Sequence, residues 1–226
     1  MKLYGVPASP FVQRVLMVAR LKGHELALQP PPGGNARTPE FHVISPLGRI
    51  PALEEDGFTL FESGPIAAYF DETLEGAALL PADPRGRARV RLIETLVAIE
   101  LFGIRPIMMG LVFGMPVPDA LLAAGRKQLA DGIDAVEHAR NPADRFAHGD
   151  TPTLGDCALL PMLTLLEIAD PMAETLALLA PHPGLLAYRI AMDAEPIVGR
   201  SAHEMRAGFG EIFARGRAPA ADGQRA

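Results

Sequence analysis

The chain has 226 residues, of which 49% are hydrophobic, and a formal net charge of −6. This length allows one large domain or two smaller ones, each with its own core, and the apolar content excludes a wholly disordered chain. A negative net charge disfavours binding to nucleic-acid phosphates and to acidic membrane surfaces. We therefore expect neither a nucleic acid nor a membrane among the partners.

The chain has a single cysteine, Cys157, and therefore no disulfide within itself. The first residues lack the basic and then apolar pattern of a signal peptide. The most apolar stretch, residues 92–113, contains three charged residues, Glu94, Glu100 and Arg105. These charges favour a buried helix over a membrane span. Together these features predict a reducing, cytoplasmic location.

The first predicted elements are a strand, a helix and a second strand. Residues 2–6 have the pattern of a short strand, and apolar residues then recur at helical spacing. Ser9 and Pro10 are suited to the N-cap and the first turn of this helix, and Gly23 is suited to its end. Residues 24–29 predict the second strand. A unit of this length predicts two parallel strands joined by a right-handed crossover.

A loop, a short helix and a hairpin follow. Residues 30–35 are rich in proline and glycine and predict a loop, whereas residues 37–43 predict a short helix. Within residues 51–61, the dipeptide Asp56-Gly57 lies between two apolar runs. This arrangement predicts an antiparallel hairpin.

The first domain ends with another predicted helix. Ser63 and Pro65 are suited to the N-cap and first turn of a helix over residues 66–74. The resulting order, β-α-β, a short helix and then β-β-α, predicts an α/β domain over residues 1–76. Residues 77–86 are dense in Gly, Pro and Asp and predict an interdomain linker.

The remainder of the chain predicts an all-helical domain over residues 87–214. The predicted helices cover residues 87–112, 118–139, 154–168 and 183–193. Pro106 should end or kink the first of them. Residues 215–226 contain Gly, Pro, Ala, Asp and Gln and predict a frayed tail.

Three short motifs occur at the predicted element boundaries. They are SPFVQR at residues 9–14, SPLGRIP at residues 45–51 and FESGPI at residues 61–66. In this order, and followed by an all-helical second half, they resemble the cytosolic glutathione transferases over almost the whole chain. The resemblance implies a thioredoxin-like N-terminal domain, a helical C-terminal domain, glutathione as co-substrate and a homodimer.

Ser9 has two interpretations. As an N-cap, its hydroxyl accepts a hydrogen bond from a free backbone N–H. The resemblance implies a catalytic role, because serine-type transferases use a serine before this helix to stabilise the glutathione thiolate. The positive end of the helix would favour the same anion. Tyr4 lies one position before the tyrosine that other relatives use, and no cysteine lies at the helix start for disulfide exchange.

The resemblance implies that the other two motifs bind glutathione. Ile50 would offer its backbone to the cysteinyl part, before a cis bond to Pro51, although a strand that starts with proline would also explain this pair. Glu62 would hold the ammonium group of the γ-glutamyl part, and Ser63 with its helix N-terminus would hold the carboxylate. Without a ligand, Ser63 is an N-cap and Glu62 a solvated charge.

Three further residues complete the expected glutathione site. Arg37 and Arg49 lie where relatives keep a basic or amide residue for the glycine carboxylate or the nearby backbone. A solvated surface arginine is the alternative at both positions. We also place Phe11 at this site.

The second substrate should lie between the domains, against the first helix of the helical half. The candidates are Phe102, Arg105 and Met109, with Met108 and Phe113 beside them. A wall rich in methionine would suit varied apolar molecules. Arg105 is unusual in this apolar stretch. It either meets an anionic substrate or pairs with an acid such as Glu100.

Two other patterns are interpreted as structural or uninformative. Thr153 and Asp156 are spaced as a capping box before an apolar helix, which predicts a buried folding element. The six histidines are scattered, and no pair has the spacing of metal ligands on one face. We expect no metal site.

The main hypothesis is therefore a serine-type glutathione transferase that joins the glutathione thiolate to a small apolar electrophile. One alternative keeps glutathione but changes the reaction to isomerisation, dehalogenation or thioether exchange. Another is a non-enzymatic binding or regulatory protein with the same fold.

Overall fold

The computed structural model describes residues 1–217, without the side chains of residues 172 and 215–217, and its N-terminal part is built around a mixed sheet. The strands are β1 (Lys2–Tyr4), β2 (Leu28–Gln29), β3 (Ala52–Glu55) and β4 (Phe58–Phe61). The helices are α1 (Pro10–Leu21), α2 (Pro39–His42) and α3 (Ser63–Thr73). This is the element order predicted for the first domain.

The sheet has the strand order β2-β1-β3-β4, with β1 parallel to β2 and antiparallel to β3. Successive side chains of a strand point to opposite faces. Leu3 and Leu53 join the main core, which also contains α1 and α3. Tyr4 and Ala52 pack on the other face with Phe41 of α2. Helices therefore cover the sheet on both faces, as in a thioredoxin-like domain.

The hairpin is confirmed, whereas the second strand is shorter than predicted. Asp56 and Gly57 have φ values of 48° and 83°, the left-handed conformation that a two-residue hairpin turn requires. Of the predicted residues 24–29, only Leu28 and Gln29 pair with β1.

The second part of the described chain is helical. Its helices are α4 (Pro84–Ile99), α5 (Arg105–Phe113), α6 (Asp119–Ala139), α7 (Leu154–Ala173), α8 (Pro183–Asp193) and α9 (Pro196–Arg217). α4 begins inside the predicted linker, because Asp83 caps it by accepting from two backbone N–H groups of the first turn. α9 continues through residue 217, and the rest of the predicted tail, residues 218–226, lies outside the described residues.

The helix predicted over residues 87–112 is in fact two helices, α4 and α5. A 3₁₀ segment, Leu101–Ile104, separates them, and Pro106 lies in the first turn of α5, where its missing N–H is tolerated. The break lets the backbone of Gly103 approach α6. A Cβ at Gly103 would lie only 2.6 Å from the carbonyl oxygen of Gly125.

By length and composition the stretch Pro84–Phe113 is sufficient to cross a membrane, with a mean hydropathy of 1.9 in its most apolar window. Core helices of soluble proteins pass the same test, so this is weak evidence for a membrane span. The 3₁₀ segment divides the stretch here, and Ile93, Val97 and Leu101 belong to the core.

α7 is the central helix of this part, and its start is the predicted capping box. Oδ2 of Asp156 accepts from the backbone N–H and the hydroxyl of Thr153, both at 2.8 Å. Oδ1 accepts from the N–H of Ala147 at 2.7 Å and from the hydroxyl of Tyr188 at 2.8 Å. Burial raises the pKa of Asp156, although these hydrogen bonds act in the opposite direction. This carboxyl group is therefore a structural element far from water.

No helix is predicted over residues 196–217, yet α9 occupies them. Its buried residues Val198, Ala202, Met205 and Phe209 recur at intervals of three and four, which is helical spacing. α9 packs against both α7 and α1. It therefore connects the helical half to the sheet-containing half.

Candidate active site

A cavity of about 710 Å³ lies between the two halves. The sheet-containing half contributes the loop before α1, the loop before β3 and the first turn of α3. The helical half contributes the end of α4, the 3₁₀ segment, α5, α7 and α9. Among the lining residues are Ser9, Phe11, Arg49, Ile50, Pro51, Glu62, Ser63, Phe102 and Arg105. The three sequence motifs therefore meet in one place.

Ser9 lies at the N-terminus of α1, half-buried in the cavity wall. Its Oγ accepts a hydrogen bond from the backbone N–H of Val12 at 3.4 Å, which is a long N-cap contact. This contact uses an oxygen lone pair and leaves the hydroxyl hydrogen free to donate. No acceptor for that hydrogen occurs among residues 1–217. Capping and donation to a ligand are therefore compatible in Ser9.

The peptide bond between Ile50 and Pro51 is cis, as the resemblance implied. Ser45 holds the preceding turn, because its hydroxyl donates to the carbonyl oxygen of Arg49 at 2.8 Å and accepts from the Arg49 N–H at 3.3 Å. Within the described part of the chain, the backbone N–H and carbonyl of Ile50 have no hydrogen-bond partner. They are available to an extended ligand.

The N-terminus of α3 also opens into the cavity. The prediction that Ser63 is the N-cap is wrong, because Ser63 is the first helical residue and Glu62 precedes it with a φ of 71°. The side chain of Glu62 makes no capping hydrogen bond within the described part of the chain. The N–H groups of Ser63 and Gly64 therefore remain available, together with the Ser63 hydroxyl, at the positive end of the helix. These donors suit a carboxylate, and the carboxylate of Glu62 beside them suits an ammonium group.

The wall from the helical half is mostly apolar. The rings of Phe11 and Phe102 lie 6.1 Å apart and join the two halves. The guanidinium group of Arg105 lies 5.7 Å from the centre of the Phe102 ring, a cation–π distance. The other apolar lining residues of α5, α7 and α9 are Met108, Val112, Phe113, Met162, Leu165, Phe209 and Ile212.

The arginines that line the cavity differ in their pairing. Arg14 forms an ion pair with Glu94 of α4. Arg49 and Arg105 are exposed, and neither has an ion pair among the described residues. The alternative prediction, that Arg105 pairs with Glu100, is therefore wrong. Two positive charges without partners in a chain of net charge −6 suit anionic groups of ligands.

Tyr4 and Cys157 lie outside the cavity. The hydroxyl of Tyr4 donates to Glu54 at 2.8 Å. Cys157 is fully buried, and burial raises the pKa of its thiol well above the ordinary value. Neither residue replaces Ser9 in the site. A search of residues 1–217 finds no group of three or more His, Cys, Asp or Glu side chains that could hold a metal ion.

Family comparison agrees with this geometry. Residues 3–78 match the N-terminal domain of glutathione S-transferases, and residues 119–191 match their C-terminal domain. The chain belongs to the glutathione S-transferase family. It is therefore an enzyme with glutathione as co-substrate, and the non-enzymatic alternative is set aside.

This chain has relatives that are named as transferases and relatives that are named as isomerases. It is 34% identical over 220 residues to glutathione S-transferase 3 of Zea mays, covering 90% of this chain and 91% of the relative. It is 31% identical over 170 residues to maleylacetoacetate isomerase of Mus musculus, covering 73% and 77%.

Solved structures similar to this chain also include both kinds of enzyme. Glutathione transferase F7 of Populus trichocarpa has a TM-score of 0.75 and 26% identity, covering 90% of this chain and 98% of that one. A maleylacetoacetate isomerase of Methylobacterium extorquens AM1, solved with bound malonate and GSH, has a TM-score of 0.73 and 29% identity. That comparison covers 91% of this chain and 97% of the other.

Two of the predicted site residues do not line the cavity. Arg37 is exposed on the loop before α2. Met109 is half-buried on another face of α5, whereas Met108 and Val112 line the cavity. The break before α5 changes which face of this helix lies against the cavity. Ile104, Met108 and Val112, which are spaced four residues apart, line the cavity, whereas Met109 does not.

The lining residues in α7 and α9 were not predicted. Met162 and Leu165, like Phe209 and Ile212, are three residues apart, and this spacing predicts a helix face. Spacing alone does not reveal which face meets a cavity.

Proposed function

We propose that this transferase conjugates glutathione to a small apolar electrophile, with Ser9 donating a hydrogen bond to the reacting thiolate. The observation that carries the proposal is the hydroxyl hydrogen of Ser9, which has no acceptor among residues 1–217 and lies at the positive end of α1 in the cavity wall. A free thiol with a pKa of about 8.5 is only slightly ionised at neutral pH. A hydroxyl donor and a helix N-terminus both favour the thiolate, which is the nucleophilic form.

All the proposed contacts of bound glutathione lie in the sheet-containing half. The backbone of Ile50 would pair with the cysteinyl backbone. Ser63 and the start of α3 would hold the γ-glutamyl carboxylate, and Glu62 would hold the ammonium group. Arg49 would hold the glycine carboxylate, and Phe11 would pack beside the ligand. The unpartnered backbone groups of Ile50 and the uncapped end of α3 support this arrangement.

The reaction then needs few proton transfers. The thiol proton is released to solvent as glutathione binds, and Ser9 keeps its own proton. The thiolate sulfur forms a bond to the electrophilic carbon, and the leaving group departs with its bonding electrons. The apolar wall of α5, α7 and α9 would hold the electrophile against the sulfur.

Substitution of Ser9 tests this mechanism. We expect Ser9→Ala to raise the pKa of the bound thiol by about one unit and to lower kcat at pH 7 about tenfold. Ser9→Thr keeps the hydroxyl and should keep a similar thiol pKa. Thiolate absorbance against pH measures this pKa, and thermal unfolding measures the separate loss of the N-cap, about 1 kcal/mol. Unchanged thiol pKa and kcat in Ser9→Ala would contradict the proposed role.

Glutathione binding is tested separately. We expect the enzyme to be retained on immobilised glutathione and to melt at a higher temperature in its presence. Ser63→Ala should weaken both effects, because it removes one donor of the proposed carboxylate site. A protein that is neither retained nor stabilised would contradict the proposed glutathione contacts.

A second candidate reaction is glutathione-dependent isomerisation of an anionic substrate. It is supported by Arg105, whose charge lines the apolar wall without an ion pair in the described part of the chain. Relatives carry the names maleylacetoacetate isomerase and maleylpyruvate isomerase, and a similar structure contains malonate, a dicarboxylate, together with GSH. In such a reaction the thiolate adds to a conjugated double bond, the resulting single bond rotates, and the thiolate leaves unchanged.

Arg105→Met separates the two candidates. We expect it to raise KM for a maleyl dicarboxylate tenfold or more, since a charge-assisted hydrogen bond contributes about 1.5–3 kcal/mol. KM for an uncharged chloronitrobenzene should change little. Arg91→Met is the control, because Arg91 is exposed on α4 outside the cavity. Consumption of glutathione indicates conjugation, whereas conversion of the maleyl compound without consumption indicates isomerisation.

We also propose a homodimer, as the resemblance implies. Apolar side chains exposed on both halves support it, since Leu47 is 55% exposed and Ile99 is 56% exposed. Leu47→Asp should favour the monomer in sedimentation equilibrium. Ile190→Asp, at a residue of α8 that is 58% exposed, should not. A monomeric unmodified enzyme would overturn this proposal.

A further inference from the structure

α9 contacts the loop that carries Ser9 at two points one helical turn apart. Glu204 and Gly208 are four residues apart and lie on the same face of α9. Glu204 is connected to Pro7 through a chain of hydrogen bonds, and Gly208 packs directly against the backbone of Ala8.

The first contact passes through Gln13, which is fully buried. Its Nε2 donates to the carbonyl oxygen of Pro7 at 2.8 Å and to Oε2 of Glu204 at 3.1 Å. Arg20 holds the same carboxylate, because its Nη2 donates to both oxygens of Glu204 at 2.8 Å. Glu204 therefore holds the side-chain amide of Gln13, and this amide holds the carbonyl of Pro7, two residues before Ser9.

The second contact is between Gly208 and Ala8. A Cβ at Gly208 would lie 2.9 Å from the Cβ of Ala8 and 3.0 Å from its backbone nitrogen. Ala8 is only 5% exposed, so the loop is enclosed at this point. The backbone of α9 thus lies against the residue that immediately precedes Ser9, with no room for a side chain between them.

We propose that α9 is a positioning element for Ser9, in which Glu204 and Gly208 hold Pro7 and Ala8 and thereby direct the Ser9 hydroxyl towards the bound thiol. This inference rests on the proposed role of Ser9 and adds the residues that orient it. Glu204 and Gly208 do not line the cavity, so both act through Ser9. α9 also provides Phe209 and Ile212 to the apolar wall of the cavity. The same helix therefore contacts both the loop of Ser9 and the proposed site of the second substrate.

Two glycine substitutions in the same helix test the proposal. Gly208→Ala should displace Ala8, raise the pKa of the bound thiol by about half a unit and lower kcat at pH 7 about threefold, with a small change in KM for glutathione. Gly210→Ala is the matched control, because a Cβ at Gly210 meets nothing within 4 Å. It carries the same gain in helix propensity and should leave both values unchanged.

The combination with Ser9→Ala shows whether the effect passes through the serine. If it does, Gly208→Ala should add no further rise in thiol pKa on a Ser9→Ala background. Should Gly208→Ala fail to fold, Gln13→Met removes the donor to Pro7 at similar volume and should raise the thiol pKa in the same direction.

The outcomes separate this proposal from the function on which it rests. If Ser9→Ala leaves the thiol pKa unchanged, the proposed mechanism fails. If Ser9→Ala raises it but folded Gly208→Ala and Gln13→Met do not, only the positioning role fails. A lower melting temperature of Gly208→Ala with an unchanged thiol pKa would mean that the contact is packing alone, which also overturns the proposal.

Discussion

Arg14 of α1 and Glu94 of α4 form an ion pair between the two halves of the molecule, with Nη2 2.5 Å from Oε1. Their side chains are only 10% and 15% exposed. The start of α3 lies against the same guanidinium group, since a Cβ at Gly64 would be 3.5 Å from its nitrogens. The pair therefore holds together three elements that surround the cavity.

Breaking this pair from one side should destabilise the enzyme. We expect Glu94→Gln to lower the free energy of unfolding by about 3 kcal/mol, because it leaves the largely buried Arg14 without its counter-charge. Replacing both residues, with Arg14→Met and Glu94→Leu, should recover part of the loss. Denaturant unfolding measures these differences. Asp131→Asn is the control, because the Lys127–Asp131 pair is 76% and 58% exposed; an equal effect there would refute the expectation.

The capping box of α7 should be among the most sensitive positions for stability. Asp156→Ala removes the acceptor of four hydrogen bonds in a fully buried site, and we expect a loss of more than about 3 kcal/mol. Asp83→Ala removes the N-cap of α4, which lies at the surface, and should have a much smaller effect. Thermal unfolding of both variants checks this order, and equal losses in the two variants would contradict the importance of burial.

Cys157 should be unreactive in the folded enzyme. Its thiol is fully buried, and burial raises its pKa well above the ordinary value, so the reactive thiolate is scarce. We expect a thiol reagent such as an aromatic disulfide to label it only at the rate of unfolding. Fast labelling of the native protein, at a rate that denaturant does not increase, would contradict this burial.

Glu204 should contribute to stability in a pH-dependent way. Burial acts to raise its pKa, but hydrogen bonds from Arg20 and Gln13 outweigh it, so the pKa in the folded state lies below the ordinary 4.5. Its contribution is therefore present above about pH 4.5 and is lost as the pH falls through the lower, folded value. The stability difference between the unmodified enzyme and Glu204→Gln should shrink as the pH falls below 4.5. A difference that grows on acidification would reverse the sign of this linkage.

Several elements were predictable because a few adjacent residues fix the backbone conformation. Ser9 with Pro10 starts α1, and Asp56-Gly57 forms the hairpin turn. The helix predicted over residues 183–193 matches α8. Helix caps, tight turns and first-turn prolines act on the backbone of the next few residues, so a short stretch of sequence is enough to predict them.

Other features were not predictable in this way. The apolar residues around position 100 continue from α4 into α5, so their pattern does not reveal the 3₁₀ break, which depends on the close approach of Gly103 to α6. That break decides that Met108, rather than Met109, faces the cavity. The helical spacing within α9 was present in the sequence, but not its position against Ala8.

By itself the sequence determined the element order of the first half and the turns and helix starts at which the three motifs lie, because these depend on local backbone preferences. The tertiary structure decided that the Ser9 hydroxyl hydrogen has no acceptor among residues 1–217, and it decided which apolar residues line the cavity. It also decided the contacts of Gln13 with Glu204 and of Arg14 with Glu94. These partners are 191 and 80 residues apart in the chain. Only the packing of the helical half onto α1 brings them together, since spacing along the chain carries no information about such distant neighbours.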